Sequence, residues 1–404
     1  MADMPLSETT KVSSVPDRTA VLERAATLLA HDENLPFDPV VPPIYQSSLF
    51  TFRSYQEMED AFAGRISRPI YSRGDNPTVM EFERRVAALE GTEAARAFSS
   101  GMGAISATVL AFVSSGDRIL SARHIYGDTF RLFQRLLPRF GITVDYVDAT
   151  DPESVAAQLP GARLLYLESP SSNVFELQEL PRLAALARSH GVLTAVDNSW
   201  ATPLFQQPAR HGIDLVLHSA SKYLGGHSDT VAGVVAGGAE LIRRVNETTY
   251  SMFGAKLSPF EAWLLLRGLR SLPLRLQRHE SSGLRIAAQL RDHPSVLRVM
   301  HPAFSNHPGG ATLLGSTGLF SFEANSTIDV PAFVDALTLF RIGVSWGGHE
   351  SLVVPALATL QQTPGSNSLS YFGVTEGTIR LHVGLEDPAA LWADLEQALL
   401  KARR

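Results

Sequence analysis

The sequence predicts an α/β fold built on an open sheet. Three apolar runs, Val192–Val196, Ile213–Leu217 and Val231–Val235, follow in close succession and read as buried strands. Stretches of helical spacing, such as Val79-x-x-Phe82-x-x-x-Val86-x-x-Leu89, lie elsewhere in the chain. Charged residues stand just beyond two of the runs: Asp197 closes the first, and His218-Ser219-Ala220-Ser221-Lys222 follows the second. Open α/β sheets bind ligands beyond the carboxyl ends of their strands, so Asp197 and Lys222 are expected to converge on one crevice.

The elements follow in chain order. Residues 1–19 are polar and expected to be mobile, and Ala20–Ala30 reads as a short helix. Pro36, Pro39, Pro42 and Pro43 then forbid regular structure. The helix over Val79–Leu89 should end at Gly91. Ala94–Phe98 reads as a strand that turns through Ser99-Ser100-Gly101-Met102 into a helix, and the N–H groups of such an N-terminus bind anions. Gly101-Met102-Gly103 is not a dinucleotide loop: Ser106 replaces the third glycine and no acid follows at the required spacing. Ile119–Ala122 and Leu164–Leu167 read as strands, followed by Tyr126-Gly127-Asp128-Thr129 and Glu168-Ser169-Pro170-Ser171-Ser172-Asn173. Lys256–Trp263 opens a long helix, which Leu264–Leu272 continue and Pro273 should break. Phe320–Glu323 and Thr378–His382 alternate like strands, and a buried Arg380 on the second would need an anion.

Composition bounds the function. The chain has 404 residues, 45% hydrophobic and 19% charged, enough for more than one core. A net charge of −6 without a basic block argues against nucleic acid as a partner. With no cysteine, disulfides and thiolate metal sites are excluded. None of the 12 histidines falls in H-E-x-x-H spacing, so no metal site is expected. No secretory leader is recognisable in residues 1–20, and no apolar run approaches the roughly 20 residues of a membrane span. The expectation is a soluble cytoplasmic enzyme.

A lysine and an aspartate at one strand-end crevice suggest particular chemistry. A lysine amine is nucleophilic only when neutral, and burial or a nearby cation moves its pKa of about 10.4 downward. Pyridoxal phosphate needs such a lysine for its Schiff base, and an acid opposite its pyridine nitrogen to keep the ring an electron sink. Ser219 and Ser221 flank Lys222 as hydroxyl donors for phosphate.

The stretch from Asp197 to Asp229 resembles the lysine segment of the Cys/Met-metabolism family of pyridoxal-phosphate enzymes, and the resemblance extends from about Pro42 to Glu386. It implies a fold-type-I, aspartate-aminotransferase-like architecture. That means an N-terminal arm (1–65), a cofactor-binding α/β domain with a mostly parallel sheet (66–265), and a smaller C-terminal α/β domain (266–404). By this resemblance Lys222 carries the cofactor and Asp197 faces its ring nitrogen. Ser100, Gly101, Met102, Ser219 and Ser221 hold its phosphate. Tyr126, of Tyr-Gly-x-Thr, stacks on its ring and takes part in proton transfer. Val41–Ser48 matches an arm that reaches a partner subunit. Tyr71-Ser72-Arg73-Gly74-Asp75-Asn76-Pro77-Thr78 matches Tyr-x-Arg-x-x-Asn-Pro-Thr completely, so Tyr71 and Arg73 should reach the neighbour's cofactor phosphate, with Tyr71 also near substrate. Ser345 and Trp346 belong to the substrate pocket, and Arg380, of Ile-Arg-Leu-x-x-Gly-x-Glu, holds the substrate α-carboxylate. The implied partners are a small amino-acid substrate and further copies of the chain, in a tetramer built from dimers with shared sites.

Two departures bear on the reaction. Ser172 stands where many members have asparagine near the cofactor's phenolic oxygen, and Val344 stands where γ-acting members have glutamate. Together with Ser345-Trp346-Gly347-Gly348 they resemble the family's β-lyases, implying β-elimination from cystathionine. The alternatives are γ-elimination or γ-replacement, since methionine γ-lyases are also apolar at the Val344 position, and a non-catalytic protein that keeps the fold.

Overall fold

A computed structural model describes residues 17–31 and 39–404. The expected mobility of residues 1–16 and the break at Pro36 lie outside the described residues. A seven-stranded sheet forms the centre: β1 Ala94–Phe98, β2 Arg118–Ala122, β3 Thr143–Val147, β4 Leu164–Glu168, β5 Leu193–Asp197, β6 Leu215–His218 and β7 Gly233–Gly237, in the order β1-β7-β6-β5-β4-β2-β3. The five strands from β6 to β3 pair in parallel; β7 runs antiparallel to both its neighbours. A second sheet follows: β8 Val296–Met300, β9 Leu319–Ala324, β10 Arg341–Ile342, β11 Leu352–Pro355 and β12 Thr378–His382, ordered β10-β11-β12-β9-β8 and antiparallel except between β10 and β11.

β4, β5 and β6 are apolar along nearly their whole length because helices cover both faces of a parallel sheet. β3 escaped the sequence reading. It is the edge strand, with Thr143 and Asp145 exposed, so no apolar run marks it. β7 starts at Gly233 rather than Val231. Gly233 passes so close to the chain at Ser100 that a Cβ there would sit 2.8 Å from Gly101 Cα.

Pro273 does not break the long helix, which runs for 33 residues from Pro259 to Arg291 and contains the expected boundary at 265/266. An internal proline costs about 3 kcal/mol. Leu265, Leu269, Leu272 and Leu276 are buried along the same helix, at about 1.5–3 kcal/mol each, so packing outweighs the break. Arg275 and Ser271 both donate to the Gly268 carbonyl, in the turn before the proline.

The Asn-Pro-Thr triplet has a structural role of its own. Asn76 accepts from the Thr78 N–H and caps the Pro77–Glu90 helix, while its amide donates to the Tyr45 carbonyl at 2.8 Å. Thr78 Oγ1 accepts from the Tyr45 N–H and donates to the Pro43 carbonyl, so the arm is pinned to this helix start. Gly91 ends the helix at φ +71, as its position suggested.

Candidate active site

A cavity of about 440 Å³ opens beyond the carboxyl ends of β4, β5 and β6, against residues from the second sheet. It gathers Ser100, Gly101, Met102, Tyr126, Asp197, Ser219, Ser221, Lys222, Ser345, Trp346 and Arg380, which the sequence singled out from segments far apart.

Lys222 follows β6 and its side chain reaches the loop between β10 and β11. Its Nζ donates to Ser345 Oγ at 2.5 Å and lies 5.4 Å from the Trp346 ring centre. Burial, reinforced by the Arg380 charge and opposed by Asp197, brings the amine down to about 8. A fraction of it is then neutral at ordinary pH. Trp346 is backed by Tyr223, with ring centres 5.4 Å apart. Gly347, at φ +91, lets this loop pass over the lysine backbone; a Cβ there would lie 2.9 Å from Lys222 Cα. His382 Nε2 accepts from the Gly347 N–H at 3.1 Å. Arg380 on β12 donates to the Ser345 carbonyl at 3.4 Å, and burial lowers its guanidinium only to about 10, so it remains a cation.

Asp197 ends β5 and is buried. The Ser199 N–H and hydroxyl donate to its Oδ1 at 3.0 and 2.6 Å, and Ser199 Oγ in turn accepts from the Ser219 N–H. The lysine segment is thereby tied to the aspartate. Burial raises the Asp197 carboxyl, against the pull of Ser199 and of Lys222. Ser100 caps the Gly101–Phe112 helix by accepting from the Gly103 N–H, and the Ser219 hydroxyl sits against that N-terminus, where a Cβ on Gly101 would lie 2.9 Å from it. The Ser221 hydroxyl is turned onto Ala232, donating to its carbonyl and accepting from its N–H. Tyr126 is 44% exposed at the mouth; its hydroxyl donates to Asp128, and the partial loss of water around it, with Asp128, holds it above the usual phenol range.

Tyr71 and Arg73 stand apart. Tyr71 is 52% exposed, Arg73 lies over its ring at 5.9 Å, and neither lines the cavity. Sequence reasoning missed several cavity residues, Ser199 and Glu168 among them. Ser199 is placed by its hydrogen bonds to an acid two positions earlier, a local pattern that was readable. Glu168 ends β4 as Asp197 ends β5, and the two are register partners on neighbouring strands. Glu168 Oε2 accepts from the Tyr126 N–H at 2.7 Å and Oε1 from the Ser172 hydroxyl at 2.5 Å.

These residues fit pyridoxal phosphate. A 12-residue helix presents its N-terminus beside a hydroxyl, a buried carboxyl lies at the cavity floor, and a lysine with a lowered pKa reaches across. The arrangement defines an α/β protein with an amine-and-carboxyl site of the cofactor-binding kind. The family model described as "Cys/Met metabolism PLP-dependent enzyme" matches residues 26–400, and the chain belongs to that family. It is similar to an L-methionine gamma-lyase of Pseudomonas deceptionensis, 39% identical over 89% of this chain and 92% of the relative. It is also similar to a cystathionine beta-lyase of Lactococcus lactis subsp. cremoris, 37% identical over 89% and 93%. Among solved structures, a cystathionine gamma synthase of Xanthomonas oryzae pv. oryzae, in complex with aminoacrylate and cysteine, superposes with a TM-score of 0.86 at 34% identity, covering 94% of this chain and 98% of that one. The expected fold class, family and cofactor are thus borne out: the chain is a pyridoxal-phosphate-dependent enzyme. No helix among the described residues is long and apolar enough to cross a membrane.

Proposed function

We propose that this enzyme is a carbon–sulfur lyase that expels a thiol from the β-carbon of a cystathionine-type amino acid. The observation that carries this reading is the environment of Lys222. Its amine meets the Ser345 hydroxyl and the Trp346 ring, while the neighbouring position holds Val344, 70% exposed and without an acid. β-Elimination needs a single proton removed from the α-carbon, and Lys222 supplies the base for it. γ-Elimination requires a second proton to move from the β-carbon.

Lys222 would hold the cofactor, Asp197 would face its ring nitrogen, and Ser100, Gly101, Met102, Ser219 and Ser221 would surround its phosphate. When bound, the cofactor supplies an electron sink for the charge that α-proton removal leaves behind. Arg380 binds the substrate carboxylate through its planar fork and orients the α-carbon toward Lys222 Nζ. Lys222, in its neutral form, would take that proton, a step worth typically about 10²–10⁴-fold. The proton on Nζ then passes to the departing sulfur, with the Tyr126 hydroxyl a second proton carrier at the mouth. Tyr71 and Arg73 serve the site of a neighbouring copy, which makes the working unit at least a dimer.

A second reading, γ-elimination, is favoured by the 39% identity to the L-methionine gamma-lyase and by the apolar pair Val231 and Val344 on the cavity wall, which suits a thioether without a distal charge. Product analysis separates the two. With L-cystathionine the β-lyase reading expects pyruvate, ammonia and homocysteine. Formation of 2-oxobutyrate and cysteine overturns it, and turnover of L-methionine with inert cystathionine favours the second reading.

A further inference from the structure

Two carboxyls share the cavity floor, and their surroundings differ. Glu168 and Asp197 are register partners on parallel strands, so their side chains emerge on the same side at the strand spacing of about 4.8 Å. They are 7% and 9% exposed. Two buried anions side by side cannot both persist without cations to match. The Lys222 cation acts on Asp197, opposite in sign and in the same cavity. What faces Glu168 is different: Tyr166 from its own strand, the Tyr126 N–H from the β2 side, Ser172 from the loop that follows, and the Asp197 charge from β5.

We propose that Glu168 is a positioning residue that stays protonated, leaving Asp197 as the sole anion of the pair. Its carboxyl then accepts from the Tyr126 N–H through one oxygen and donates to Ser172 Oγ through the other. The 2.5 Å contact with Ser172 fits that direction as well as the reverse. Ser172 lines the cavity, and a hydroxyl that receives a hydrogen bond from Glu168 has its own hydrogen free to face whatever the cavity holds. Glu168 therefore does three things at once. It fixes the backbone of Tyr126, it keeps a second negative charge away from Asp197, and through Ser172 it presents a donor where an ionised carboxylate would leave none. Burial and the Asp197 charge push its carboxyl up to about 8, against the hydrogen bonds with Ser172 and the Tyr126 N–H. The proposal rests on the reading of Asp197 as the residue facing the cofactor, and its first test does not depend on that reading.

That test is the melting temperature of the cofactor-free protein, wild type against Glu168→Gln, from about pH 5 to 9. A carboxyl that keeps its proton when folded but releases it at about 4.5 when unfolded lowers stability as pH rises through that window, until its folded pKa near 8 is passed. Glutamine presents the same acceptor and donor without titrating. The wild-type melting temperature should therefore fall relative to Glu168→Gln as pH rises to about 8 and run parallel above it; a difference that is flat with pH overturns the proposal. In the holoenzyme, Glu168→Ala loses roughly a hundredfold in kcat by leaving the Tyr126 N–H unpaired, and Glu168→Gln restores most of that loss. Equal losses in the two variants mean that Glu168 works as an anion and overturn the assignment. Ser172→Ala, a smaller change that keeps the chemistry of Lys222, should shift the pH midpoint of the bound cofactor's visible band. An unmoved midpoint overturns the donor role.

Discussion

The Lys222 region and the Tyr71–Arg73 loop match the family pattern equally well, and the fold treats them in opposite ways. Lys222 lies in a cavity, with Ser345 and Trp346 at its amine and Asp197 among its electrostatic neighbours. Arg73 is exposed and lies over Tyr71, outside that cavity. A half-buried lysine inside a cavity has its pKa shaped by its own chain. An exposed arginine with a planar fork and no anion at hand is suited to phosphate supplied from elsewhere. Motif strength alone therefore does not say whether a residue serves the site of its own chain or of a neighbour.

The largest effect expected on either side of this contrast is from Lys222→Ala. It removes the proposed base and cofactor anchor together, so kcat should fall by about 10⁴ or more with the fold retained, checked by turnover alongside circular dichroism. A loss of less than tenfold would place the base elsewhere.

A hybrid experiment addresses the Arg73 side. Arg73→Ala and Lys222→Ala chains, each nearly inactive, are mixed and reassembled. If the site is shared, a hybrid dimer has one site with both residues intact, or about one site in four across a random mixture. No recovery in demonstrably mixed oligomers would mean that Arg73 acts within its own chain.

The smallest effect sharpens the Lys222 side. The Arg380 charge helps hold the amine at about 8, after burial. In Arg380→Gln the Lys222 pKa should rise toward, without reaching, the ordinary 10.5, because burial remains. The midpoint of amine labelling against pH in the cofactor-free protein reads this directly. A fall would show that Arg380 does not act on Lys222 through its charge.

Much of the site was legible because each part follows an apolar run or an alternating one. Asp197 and Lys222 follow buried strands, Ser100 opens a helix after one, and Arg380 sits on β12. What was hidden depends on distant packing. Ser345 meets Lys222 across 123 positions of sequence. The pairing of Glu168 with Asp197 comes from the register of two strands, which neither strand encodes alone. The helix through Pro273 was misread because buried leucines outweigh a local break, and β3 was missed because an edge strand carries no apolar run.

The most direct measurement of the central claim is reduction of the holoenzyme with borohydride, followed by peptide mapping. One labelled peptide containing Lys222 is the result the account predicts. A label on Lys256 or Lys401, with Lys222 unmodified, would contradict it.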